Sequence, residues 1–176
     1  YSNLDKETES LQAIDEMFIT ADSMCIAVAG PCEGRARVHG YLSTYYYKMK
    51  NYDKAIYHDK VALKIMRELD GNTVAPLMNL GISFESKGYP DSALFYKKLA
   101  RKKLESFPAR QKYLTKADDE IAIAYKKAGK LDSAVMLIGQ VIDTCRRYDY
   151  AMLGKALLNG ASIHNEAKNY EFAWSL

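Results

Sequence analysis

Cysteine is scarce in this chain of 176 residues: Cys25, Cys32 and Cys145 supply neither a disulfide framework nor a zinc ligand set. Buried thiols behave as small hydrophobes, so three free thiols are the expectation, although Cys25 and Cys32 flank the Gly30-Pro31 break closely enough for a local bridge. Four prolines and ten glycines exclude a collagen-like or low-complexity chain. No run approaches ~18 consecutive apolar residues, so no segment reads as a membrane-spanning helix. Neither sign of charge dominates: 25 basic against 22 acidic residues leave +3, too balanced to announce a nucleic-acid binder.

Catalytic signatures are missing as well. There is no Gly-rich phosphate loop, no GxSxG and no HExxH. His39, His58 and His164 read as separate packing or surface side chains. Asp118-Asp119-Glu120 is the densest acidic run, but consecutive helical residues point in different directions, so it reads as a solvated helix surface rather than a chelating cluster. The expectation is a protein that is not an enzyme and takes no metal and no cofactor. Residue 1 is Tyr, without a basic and apolar leader before it. Together with an end at Trp174-Ser175-Leu176, about one turn into a helix, this favours a piece of a longer array.

What the chain does have is repetition. KNYDKAIYHDKVAL (50–63), KGYPDSALFYKKLA (87–100), AGKLDSAVMLIGQV (128–141) and KNYEFAWSL (168–176) each carry an alanine two residues after an acidic one. Those alanines, Ala55, Ala93, Ala134 and Ala173, stand 38, 41 and 39 residues apart. Within a repeat, Val74, Leu77, Leu80, Gly81 and Phe84 mark one helical face, Gly88 and Pro90 stop that helix, and Asp91 opens the next. The same grammar predicts helices at about 35–49, 53–69, 109–128, 131–147, 149–166 and from 170 onward, with Pro108 in a first turn and breaks at Asp70-Gly71-Asn72 and Gly129. Residues 4–28 predict one longer helix with Leu4, Leu11, Ile14, Phe18, Ala21 and Cys25 on one face. No segment alternates with period two. The chain reads as all-α: an orphan helical region at 1–34, then three and a half repeats at about 35–72, 73–108, 109–148 and 149–176.

These residues resemble the tetratricopeptide repeat, whose signature combines a large residue, Leu-Gly, an aromatic and later alanines. The second repeat carries Leu77, Leu80-Gly81, Phe84, Ala93 and Ala100 at the matching offsets; the first has Leu42, Tyr46, Ala55 and Ala62, with Ser43 for the glycine. The third has Ile121-Ala122, Tyr125 and Ala134 with Val141 for the last alanine, and the fourth, with Leu157, Ala161 and Ala173, departs most. The family period is ~34 and its repeats end on proline, where Arg67, Glu105 and Arg146 stand here. Such extended repeats are similar to those in sensory regions of bacterial signalling proteins and in eukaryotic adaptors. The resemblance implies an α-solenoid, a right-handed superhelix of antiparallel helix pairs whose first helices line a concave groove for peptide or protein ligands.

Carried onto this sequence, the groove offsets select Arg37, Tyr41, Thr44 and Tyr47 in the first repeat and Met78, Asn79, Ile82 and Glu85 in the second. The third supplies Lys116, Asp119, Glu120, Ile123 and Lys126, the fourth Lys155, Asn159 and Ser162. Asn79 and Asn159 recur at one offset, where the family uses an asparagine to bond an extended peptide backbone; an amide suits this because it donates and accepts. Asn79 bridging adjacent repeats is the equal alternative. Tyr41 and Tyr47 add flat, amphipathic contact area, and Tyr46 takes the packing slot. Gly40/Thr44, Met78/Ile82, Asp119/Ile123 and Leu158/Ser162 cannot form the family's carboxylate clamp.

The basic run Lys97, Lys98, Arg101, Lys102 and Lys103 lies on a second helix and reads as a solvated outer face, the alternative being a grip on an acidic partner, RNA or an anionic membrane surface. The expected function is non-catalytic: a scaffold for a protein or peptide, or for a second copy, in the sensory or interaction region of a bacterial signalling protein or lipoprotein. An extracytoplasmic place is favoured over a cytoplasmic one, a cytoplasmic adaptor array is the alternative, and neither nucleic acid nor membrane insertion is expected.

Overall fold

The computed structural model describes residues 32–107, 111–148 and 150–168, together with positions 9, 12, 13, 16, 19 and 20. Seven helices are laid out among the described residues: α1 (Glu33–Lys48), α2 (Tyr52–Glu68), α3 (Val74–Ser86), α4 (Pro90–Glu105), α5 (Gln111–Lys127), α6 (Leu131–Tyr148) and α7 (Tyr150–Glu166). No strand occurs among them, and none of these helices is long and apolar enough to cross a membrane. The fold is an all-α helical repeat, and every helix expected between 35 and 166 forms within a few residues of its expected ends. The six described N-terminal positions are helical and exposed, Ala13 among them. The apolar face expected at Leu4 to Cys25, Pro108 and the helix from 170 onward lie outside the described residues.

Local chemistry explains the punctuation. Asn51 caps α2, its side chain accepting from the Lys54 N–H at 3.2 Å, and Asn72 does the same for the Val74 N–H at 3.0 Å. Asp53, Asp91 and Asp132 stand in first turns and Arg67, Lys102 and Arg146 in last turns, as the helix dipole favours. Pro90 begins α4 rather than ending α3, since a first turn has no use for the missing N–H. The stop comes from residues in left-handed backbone: Lys50 (φ 57°), Asp70 (φ 49°), Gly88 (φ 87°) and Gly129 (φ 71°). At each one the next N–H reaches back to a carbonyl five residues earlier: Asn51 to Tyr46, Gly71 to Met66, Tyr89 to Phe84 and Lys130 to Tyr125.

The chain forms two compact units, Tyr1–Ser83 and Phe84–Leu176, with the boundary inside α3. In the first, α1 and α2 form a helical hairpin around Val38 and Leu42, with Tyr45 and Tyr46 against them. In the second, α5 packs on α4, α6 and α7, and the core is Ala122, Ala134, Ile138, Val141, Ile142, Cys145, Ala156 and Ile163. Ala55, Ala93 and Ala134 have no exposed surface, and Ala62, Ala100 and Val141, a further two turns on, are buried too. The repeat alanines thus mark close helix approach, which is why the period was visible.

Cys32 is disulfide-bonded, which corrects the expectation of three free thiols; Cys145 is a buried thiol. Closing a loop of a few residues costs little entropy, so the short spacing around Gly30-Pro31 outweighs the general preference for free thiols in a cysteine-poor chain.

Candidate functional site

In the first unit, α1, α2 and the start of α3 enclose a cleft of about 280 Å³. Its walls are largely apolar, with Ala36, Gly40, Ala62, Met66 and Pro76, and its polar groups are Glu33, Arg37, Asp59, Asn72 and Asn79. Asp59 is fully buried, four residues after the repeat alanine Ala55 on the face that α2 turns inward. The Asn79 amide donates to Asp59 Oδ1 at a long 3.4 Å, and Oδ2 makes no hydrogen bond. Burial pushes the carboxyl up to about 7, against the opposing pull of hydrogen bonds from Ser43 and Asn79. Sequence reasoning missed Asp59, although a signal was present: Ala55, Asp59 and Ala62 fall at i, i+4 and i+7, which places a carboxylate on a core face.

Of the first-repeat residues expected in a groove, Arg37 lines this cleft and Tyr41 is exposed nearby on α1. Thr44 turns its hydroxyl back to the Gly40 carbonyl at 3.0 Å, and Tyr47 is half-buried with its ring 5.7 Å from that of Tyr52. Tyr46 fills the expected packing slot, stacked on His58 at 5.4 Å. Asn79 bridges α2 and α3 through Asp59, while Met78 and Ile82 are half-buried.

The second unit gathers most of its expected residues into one polar network. Asp119, expected on a groove, has no exposed surface: Lys155 Nζ lies 2.9 Å from Oδ2 and the Asn159 amide donates to Oδ1 at 2.7 Å. These two contacts span from α7 to α5, so Asp119 joins successive first helices instead of facing solvent. Lys155 also reaches Glu120 at 3.1 Å; Asp119 first and Glu120 after it hold the lysine above its usual range despite partial burial. Burial alone would raise the Glu120 carboxyl, but Lys97 and Lys155 overcome that and hold it below the ordinary range. Lys126 bonds Ser162 at 2.8 Å and pairs with Glu166 at 3.1 Å. Lys116 is exposed, and Ile123 packs against the unit's core.

The basic run on α4 is a solvated face only in part: Lys98, Lys102 and Lys103 are exposed, while Lys97 and Arg101 are held by carboxylates. Lys97 is fully buried, its ammonium 2.6 Å from Glu85 and 3.3 Å from Glu120. Arg101 binds both Asp118 oxygens and pairs with Glu105, which raises its guanidinium further, and Lys98 lies over the Tyr125 ring at 4.6 Å. Glu85, expected to face a groove, is half-buried between Lys97 and Lys127, each at 2.6 Å. A helix face read from spacing alone does not reveal what covers it, and here carboxylates on neighbouring helices do. Two of the histidines are not separate either: His39 and His58 Nδ1 atoms stand 2.9 Å apart, and burial, then Lys54, lowers the His58 pKa. No group of three or more metal-ligating side chains forms among the described residues.

The all-α helical-repeat class follows from these helix pairs, and comparison with solved structures narrows it to a tetratricopeptide-like repeat fold. The chain is similar to a Podosopora anserina protein of nearly identical TPR-like repeats, assigned to the kinesin light chains. The TM-score is 0.78 at 13% identity, over 99% of this chain and 86% of that one. The Q17M form of that protein gives 0.79 at 12% identity with the same coverage. BtubC (BKLC) from P. vanneervenii gives 0.71 at 17% identity, over 80% of this chain and 59% of that one. No family model matches the chain, and no curated protein matches it.

Proposed function

We propose that this chain is a non-catalytic interaction module that binds an extended peptide segment of a partner protein. The observation that carries the reading is the cleft of the first unit, where Arg37 and Asn79, two residues at the repeat's ligand-facing offsets, line one cavity. Asn79 makes its one described hydrogen bond to Asp59, which leaves amide capacity for a peptide backbone. Peptides selected from a displayed library against the folded chain provide the test. Asn79→Ala is expected to weaken their binding ~10- to 100-fold, the cost of leaving a peptide group unpaired, with only a modest fall in melting temperature from loss of the long bond to Asp59. Unchanged affinity with a large drop in melting temperature would make Asn79 a purely structural residue.

The wider setting we propose is the sensory or scaffolding region of a longer bacterial signalling protein or lipoprotein outside the cytoplasm. The disulfide at Cys32 supports an oxidising compartment. A cytoplasmic adaptor is the second reading, favoured by the likeness to repeats assigned to kinesin light chains. Sequencing the parent gene separates them: an upstream leader with a downstream effector module supports the first, further repeats without a leader the second.

A further inference from the structure

The Asp59 cleft has a chemistry that peptide-backbone recognition does not use. A fully buried carboxyl sits among apolar walls, one of its oxygens has no hydrogen-bond partner, and no cation of the described chain pairs with it. Leaving such a group unpaired is costly, and the cost is relieved only by a hydrogen-bonding or charged partner. The walls supplied by Ala36, Ala62, Met66 and Pro76 suit a run of methylenes. At about 280 Å³ the cleft falls just below the ~300–1,000 Å³ of sites for whole small molecules, a size that suits one side chain.

The second unit contains a filled counterpart. Lys97 stands four residues after Ala93, as Asp59 stands four after Ala55. Its partner Glu120 stands fourteen residues before Ala134, as Asn79 stands fourteen before Ala93. In that slot a fully buried lysine pairs with carboxylates at 2.6 and 3.3 Å. The first-repeat slot therefore has the carboxylate and the space, but no lysine.

We propose that the Asp59 cleft receives a lysine side chain of the partner, its stem along the apolar walls and its ammonium on Asp59 Oδ2. The proposal rests on the peptide-binding reading and adds the side chain that the partner must present. Glu33 at the cleft adds negative charge, and Arg37, one turn along α1, offsets it, so the buried Asp59 supplies the discriminating charge.

The test uses Nα-acetyl-lysine N-methylamide against the full 176-residue chain, following the Asp59 carboxyl carbon by NMR. The lysine amide is expected to shift that resonance saturably and to lower its titration midpoint; the norleucine analogue is expected to do neither. Asp59→Asn should weaken binding at least ~10-fold, the loss of a charged hydrogen bond. Because that variant alters the floor, Gly40→Leu is the second: Gly40 lines the cleft and a Cβ there meets nothing within 4 Å, so a larger side chain is expected to fill the cleft. It should abolish the shift. An unmoved Asp59 resonance, or an equal response to norleucine, overturns the proposal. Tighter binding of putrescine than of the lysine amide overturns the partner's side chain as the source. Library peptides that bind through Asn79 yet tolerate lysine-to-norleucine replacement would end this proposal while sparing the interaction module. A lysine-amide shift at Asp59 without any peptide binder would do the reverse.

Discussion

Two ionisable side chains that occupy equivalent positions, Asp59 and Lys97, are both fully buried but differ in what surrounds them. Asp59 has hydrogen bonds from Ser43 and Asn79 but no cation, and its carboxyl is pushed up to about 7 from 3.8. Between those values the folded state holds a proton that the unfolded chain has released, so stability falls as pH rises through the window, and the full cost is present above about 7. Asp59→Asn removes the ionisation and keeps the shape. It should leave the melting temperature near pH 4 almost unchanged and raise it at pH 8, so the difference from the parent grows with pH; a constant difference would refute the burial of the charge. Lys97 is in the opposite situation, clamped between two carboxylates. Lys97→Met should destabilise by about 3 kcal/mol in urea unfolding, because it takes the buried cation from two half-buried carboxylates, which keep only Lys127 and Lys155. Adding Glu85→Gln should recover much of that loss, whereas the half-exposed Lys127→Met should cost less than ~1 kcal/mol.

Helix ends were legible because turn chemistry is local. Asn51, Pro90, Gly88 and Gly129 act on neighbours within a few residues, and the sequence states them outright. The repeat alanines were legible for a related reason: only a small side chain lets two helices approach closely, and close approach recurs once per repeat. The covering of Lys97 was harder to read, since its partner Glu120 lies 23 residues away, and the bond from Asn159 to Asp119 spans 40. Spacing assigns a residue to a helix face but not to a neighbour. Even so, Ala93, Lys97, Ala100 and Leu104 lie on one stripe, so the apolar company of Lys97 already marked a core position. The same local logic makes the turns testable. Lys50 holds a left-handed conformation at φ 57° that costs a side chain about 1 kcal/mol and glycine almost nothing. Lys50→Gly should therefore stabilise by about that amount. Gly129→Ala should lose about as much, because its φ is 71° although a Cβ there meets nothing within 4 Å. Equal and negligible effects in thermal unfolding would contradict the shared turn geometry.

At the scale of the whole molecule, the balance of charge decides what the surface can attract. The net charge is +3, and its densest basic segment is partly spent internally: Lys97 on Glu85 and Glu120, and Arg101 on Asp118 and Glu105. Lys98, Lys102 and Lys103 remain exposed, fewer than the ~6–10 phosphate contacts behind a steeply salt-dependent nucleic-acid complex. Lys126 and Lys155 are likewise committed to carboxylates within the second unit. The chain should accordingly elute from heparin below ~0.2 M salt, and its weak binding to single-stranded RNA should show a log–log salt slope no steeper than about −3. Charge reversal locates the effect. Asp118→Lys would release Arg101 and add a positive group beside it, so retention should increase, whereas Lys102→Glu should decrease it. Retention of the parent chain well above that salt concentration would mean that the internal pairs open in solution, and would move the basic helix face from structure to function.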